Sequence, residues 1–145
     1  MKIKDLALTK AKAKPKHPEY QLQVQISNYL NMQISKGAKL TFYNSEKGSS
    51  KMTIPQQARY KPMLPMDNFK QPDLMVVRKD SSVALYLELK AKSPFKKDGK
   101  TLLANEHIEA QAKSLELLRT CGHVAEFCWT FDDAKRFIDD FMQPF

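Results

Sequence analysis

Three residues carry groups suited to phosphate chemistry and are spaced so that a single local turn could unite them: Asp73, Glu88 and Lys90. Asp73 follows Pro72 and opens an apolar, β-branched run at 74–78. Glu88 and Lys90 close a second such run at 83–90, after the turn-forming Lys79-Asp80-Ser81-Ser82. That pattern predicts a β-hairpin. Side chains two apart on a strand share a face, so Glu88 and Lys90 project together while Leu89 points away. The hairpin can bring Asp73, at the start of one strand, beside the Glu88–Lys90 end of its partner. The run Leu85-Tyr86-Leu87-Glu88-Leu89-Lys90-Ala91 is apolar apart from this pair, and charges are seldom buried unless paired or bound to metal. Two converging carboxylates suit a hard divalent cation such as magnesium, which takes carboxylate oxygens and keeps several waters. Such an ion polarises a phosphodiester and lowers the pKa of a bound water. A desolvated lysine beside it can orient or deprotonate that water. The competing reading is a surface Glu-Lys pair on an edge strand, with an unrelated aspartate starting the neighbouring strand.

Two further residues bear on this site. Gln111 lies three after Ile108 and four before Leu115, inside the apolar stripe of a helix, where a glutamine must find a polar partner. Glu19 follows Pro18 and by composition is a favourable first-turn helix residue. Lys92, Lys96, Lys97 and Lys100 follow the Glu-x-Lys strand in a basic loop. They read either as a solvated loop or as phosphate contacts beside the site. His17, His107 and His123 do not converge by spacing and read as structural or surface residues.

The elements that must position these groups are legible from periodicity. Leu22, Ile26, Tyr29 and Leu30 recur at helical spacing after Pro18, with Gly37 as the stop. Residues 39–43 read as a strand. Residues 44–71, with Gly48, Pro55, Pro62 and Pro65, show little regularity beyond a short helix around 56–59, and a stretch of that kind is often functional. After the hairpin, Asn105 caps a helix with the stripe Ile108, Leu115 and Leu118, ended by Gly122. A strand at 124–129 follows, then a helix started by Thr130 and Asp133 and carrying Ala134, Phe137, Ile138 and Phe141. The order predicts an α/β domain with a central mixed sheet flanked by helices.

The 145 residues suit one domain, with a basic arm at 1–16 and a single folded unit at 17–145. Lysine and arginine outnumber acids 24 to 16, a net charge of +8 that points to a polyanion such as nucleic acid. Lys2, Lys4, Lys10, Lys12, Lys14 and Lys16 face only Asp5 in the arm. That arm reads equally as solvated chain or as a phosphate-tracking segment. No apolar run has the length of a membrane span and the first residues lack a secretory signal's apolar core, so the expected location is intracellular. Cys121 and Cys128 fit neither a disulfide framework nor a zinc site and read as buried or half-buried free thiols. Phe42, Phe127, Phe131, Phe137 and Phe141 read as core.

At the same residues the chain resembles the PD-(D/E)xK nuclease superfamily, and more closely its VRR-NUC branch. The matching pieces are Glu-Tyr-Gln-Leu-Gln-Val-Gln-Ile-Ser-Asn-Tyr-Leu at 19–30, Gln-Pro-Asp-Leu-Met-Val-Val at 71–77 and Tyr-Leu-Glu-Leu-Lys at 86–90. Gln111 and the Cys-Gly-His-Val of 121–124 complete the set, which spans roughly 18–142. Such chains usually carry a glycine shortly before Pro-Asp, where this one has Phe69-Lys70-Gln71. The resemblance implies a restriction-endonuclease-like core and a DNA endonuclease dependent on Mg2+ or Mn2+. It makes Asp73 and Glu88 metal ligands with the Leu89 carbonyl, and Lys90 the residue serving the attacking water. It makes Gln111 a support and brings Glu19 to the metals from the first helix. It also implies a phage or bacterial homodimer acting on branched DNA such as Holliday junctions, in the host cytoplasm or at the nucleoid. The alternatives are a DNA-binding module that keeps the fold without catalysis, or a subunit active only in a larger complex.

Overall fold

Burial alternates along the strands at 40–44 and 74–78 and is nearly continuous along the strand at 84–89, a pattern that sorts the chain into layers. The computed structural model describes residues 17–45 and 53–143; the basic arm at 1–16 lies outside them. In chain order the elements are α1 (Pro18–Ser35), β1 (Leu40–Asn44), α2 (Ile54–Tyr60), a 3-10 turn (Lys61–Met63), β2 (Leu74–Arg78), β3 (Ala84–Leu89), α3 (Glu106–Thr120), β4 (Val124–Cys128) and α4 (Phe131–Phe141). The strands form one mixed sheet in the order β1-β2-β3-β4. β1 with β2 and β2 with β3 are antiparallel, whereas β3 and β4 are parallel. The parallel pair needs a crossover, and α3 supplies it.

Leu74 and Val76 of β2 and Leu85, Leu87 and Leu89 of β3 turn to one face, where they meet Leu22, Ile26 and Leu30 of α1 and Ala134 and Ile138 of α4. On the opposite face Tyr86, Ala125 and Phe127 pack with Leu115, Ile108, Ala112 and Leu118 of α3. The chain is thus a mixed α/β fold whose central mixed sheet is flanked by helices. α3 carries its own punctuation: the Asn105 side chain accepts from the N–H groups of His107 and Ile108 at 2.9 and 3.1 Å, and Gly122 takes the left-handed φ of 92° after its end. Its buried stripe is Gln111, Ser114 and Leu115, so two of the three most buried positions are polar, while Ile108 and Leu118 are half-buried.

The thiols differ from expectation in one respect. Cys128 is buried in the first core, but Cys121 is exposed, because it sits at the end of α3, just before Gly122 turns the chain.

Candidate active site at the open end of the hairpin

The hairpin register pairs Leu74 with Leu87, and one step further sets Asp73 opposite Glu88. Asp73 stands just before β2 and is fixed from several directions. Its carboxylate accepts the Leu89 N–H at 2.8 Å, and its own carbonyl accepts the Ser45 N–H at 2.8 Å. The Ser45 hydroxyl donates to the Pro72 carbonyl at 2.9 Å. The preceding segment is tied to α3, since the Lys70 N–H donates to the Ser114 hydroxyl at 2.7 Å. Before this segment Asn68 takes a left-handed turn, with φ 57°. Asparagine tolerates that region better than other side chains, because its short amide can hydrogen-bond locally.

Glu88 is 2% exposed and Gln111 4%. The Gln111 side-chain N–H donates to the Glu88 carboxylate, which supplies the polar partner that a glutamine in an apolar stripe requires. The same Gln111 Nε2 lies 3.2 Å from His107 Nε2. His107, which the sequence places among structural or surface residues, is exposed and lies four before Gln111, on the same helix face. Gln111 Oε1 is buried without a hydrogen-bond partner among the described residues.

The ladder continues past β3, with the Lys90 N–H donating to the Cys128 carbonyl at 2.9 Å, and alternation carries half-buried Lys90 to the Glu88 side. Glu19, in the first turn of α1, accepts the Ala91 N–H at 3.3 Å. Asp73, Glu88, Lys90, Gln111 and Glu19 therefore all gather around the 88–91 backbone. Lys92, Lys96, Lys97 and Lys100 are exposed just beyond it. Their loop is ordered by Asp98, whose carboxylate accepts from the Lys100 and Thr101 N–H groups at 2.9 Å each and from the Thr101 hydroxyl at 2.5 Å. Those bonds hold the Asp98 carboxyl below the usual aspartate range.

Among the described residues no group of three or more histidine, cysteine or acidic side chains is arranged to hold a metal ion. What the hairpin offers is smaller: two carboxylates from opposed positions, one of them on the Leu89 N–H. That donor set fits magnesium or manganese, which bind through one or two carboxylates and retain waters, and does not fit a closed zinc cage. The partnerless Gln111 Oε1 is a further buried acceptor beside them, of the kind that a bound water would satisfy. No protein-family model, curated protein or solved structure matches the chain.

Proposed function

We propose that the chain is a divalent-metal-dependent endonuclease that hydrolyses DNA phosphodiesters, with a restriction-endonuclease-like core of the VRR-NUC kind. The observation that carries this reading is the buried Glu88 carboxylate, held by Gln111 and opposed in register by an Asp73 carboxylate locked on the Leu89 N–H. Asp73, Glu88 and the Leu89 carbonyl would hold Mg2+ or Mn2+, and Glu19 stands at the same backbone from α1. Such an ion supplies Lewis-acid polarisation of the phosphodiester and a more acidic attacking water. Lys90 would orient or deprotonate that water through its Nζ. Gln111 keeps the Glu88 carboxylate pointing inward, and the exposed lysines at 92, 96, 97 and 100 neutralise phosphates on either side of the cut. Branched DNA with two-fold symmetry is the proposed substrate, cut twice by a homodimer, in an intracellular setting. Among the described residues no helix is long and apolar enough to cross a membrane.

The test is cleavage of labelled four-way junction, flap and linear duplex with magnesium, manganese or EDTA. Wild type is expected to cut with metal only. Lys90→Ala is expected to lose about 10²–10⁴-fold in rate, the usual worth of a positioned acid–base group, and Glu88→Ala, which removes a proposed metal ligand, to lose metal-dependent cutting. Undiminished cutting by Glu88→Ala sinks the assignment. A second reading is supported by the ordered lysine loop, which can bind phosphates without any help from the acids: a DNA-binding module that does not cut. Salt-sensitive binding with no turnover on any substrate would favour it, and activity appearing only with a partner protein would favour a subunit of a larger complex.

A further inference from the structure

Every residue at 53–68 is exposed, although the segment is regular. α2 begins with a full capping box, in which the Gln56 N–H donates to the Thr53 hydroxyl and the Thr53 N–H donates to the Gln56 side chain at 2.9 Å, and it runs straight into the 3-10 turn. Neither element has a buried residue. Yet Ile54, Met63, Leu64 and Met66 stand 82, 68, 64 and 100% exposed. A helix this short is marginal in water by itself, and four large apolar side chains exposed within thirteen residues suit a surface that another protein covers. Between residues 53 and 66 the only charges are Arg59 and Lys61.

A cleft of about 430 Å³ lies at the root of this arm. Asp67, Glu106 and Glu109 give it negative charge, Phe69, Ala110 and Leu117 give it apolar wall, and Lys113 is the single cation among its lining residues. No residue of 53–66 lines it. An acidic cleft repels DNA, while an arm that is apolar and basic matches it in both respects. We infer that arm and cleft are the two halves of one interface: the 53–66 arm of each copy seats in the Glu106–Glu109 cleft of a second copy of this chain. The exchange is reciprocal, so it closes on a two-fold axis and leaves no arm over. This locates the interface of the two-fold assembly in the preceding reading, on which it rests, but it does not depend on the chemistry at Glu88. Measuring mass needs no cleavage.

The experiment is sedimentation velocity on the full chain over a wide concentration range, at low and high salt. The expected result is a dimer that weakens as salt rises. Three paired variants, Met63→Ser with Leu64→Ser, Arg59→Glu with Lys61→Glu, and Glu106→Lys with Glu109→Lys, are each expected to weaken self-association at least about ten-fold, the effect of losing about 1.4 kcal/mol. The arm adds no buried side chain to either core, and circular dichroism of each variant reports whether it has folded. The decisive arm is a mixture of the two charge-reversed proteins. Each then offers the other a matched arm and a matched cleft, and the dimer is expected to return. A monomer at every concentration overturns the inference, as does a dimer indifferent to all three pairs, or a mixture that stays monomeric. Arm variants that lose DNA binding with unchanged mass would assign the arm to nucleic acid instead, and overturn it too. A dimer of the expected kind that cuts no DNA would leave the interface standing and count only against the nuclease reading.

Discussion

A carboxylate with 2% exposure must be satisfied from within the protein, and Gln111 is a partner that Glu88 has found there. Removing one member of such a pair takes a buried hydrogen bond from the other, whereas replacing both with apolar groups is far less costly. Gln111→Leu is therefore expected to destabilise by about 1–3 kcal/mol, and Glu88→Leu with Gln111→Leu to recover most of that loss. Urea unfolding of the single and double variants checks it; additive losses would mean that the two side chains do not act as a unit. The thiols make a second test. Burial pushes the Cys128 thiol up to about 11, against a weaker opposing contribution from the Thr130 backbone. An unfolded thiol ionises from about pH 8.5, so between there and 11 the unfolded chain loses this proton first. Stability is accordingly full below that window and falls as pH rises through it. A thiol reagent is expected to titrate exposed Cys121 quickly and Cys128 only on unfolding. The alkaline fall in urea midpoint is expected to be shallower in Cys128→Ala.

The loop between β3 and α3 sets charge against order. Asp98 lowers the positive charge of a lysine-bearing loop, yet its carboxylate ties Lys100 and Thr101 to the turn. If order dominates, Asp98→Ala weakens binding to duplex DNA despite raising the net charge. Fluorescence anisotropy at fixed salt decides it, and tighter binding would show that charge alone matters. Elements such as this loop and the hairpin were legible in the sequence because their signals are local: the β-branched runs flank a polar turn, and Asn105, Gly122 and Thr130 mark helix ends at the expected places. Gln111 was legible for the same reason, as a polar break in a helical stripe. The sheet order was not, because strand neighbours far apart in sequence leave no periodic trace. Nor was the His107–Gln111 contact, which rests on side-chain conformation on a helix face. Arg78 was missed although β2's alternation puts it on the buried face with Leu74 and Val76; its charge argued against burial. The exposure of 53–68 was not legible either, because the segment has too little periodicity to assign its residues to a face.

At the scale of the whole molecule, Arg78 joins the sheet to the chain's end. Its guanidinium donates to the Phe141 and Gln143 carbonyls at 2.9 and 2.8 Å and to Asp80 at 3.1 Å. The Asp80 carboxyl is held below its usual range chiefly by that bond. Arg78→Met keeps the aliphatic packing but leaves two carbonyls without their donor, and is expected to cost about 2–3 kcal/mol. A thermal melt checks it, and an unchanged midpoint would mean that the C-terminal turn contributes nothing to the fold. The parallel pairing of β3 with β4 has a consequence in time. Asp73 and Glu88 belong to one antiparallel hairpin, which closes through neighbouring residues, whereas Gln111 arrives only with the α3 crossover, and such non-local pairing is slow. During synthesis the two acids therefore emerge together, before the glutamine that covers one of them. For that interval a nascent chain displays a pair of solvated carboxylates, and a cation in the surrounding solution can reach them before the helix closes over Glu88.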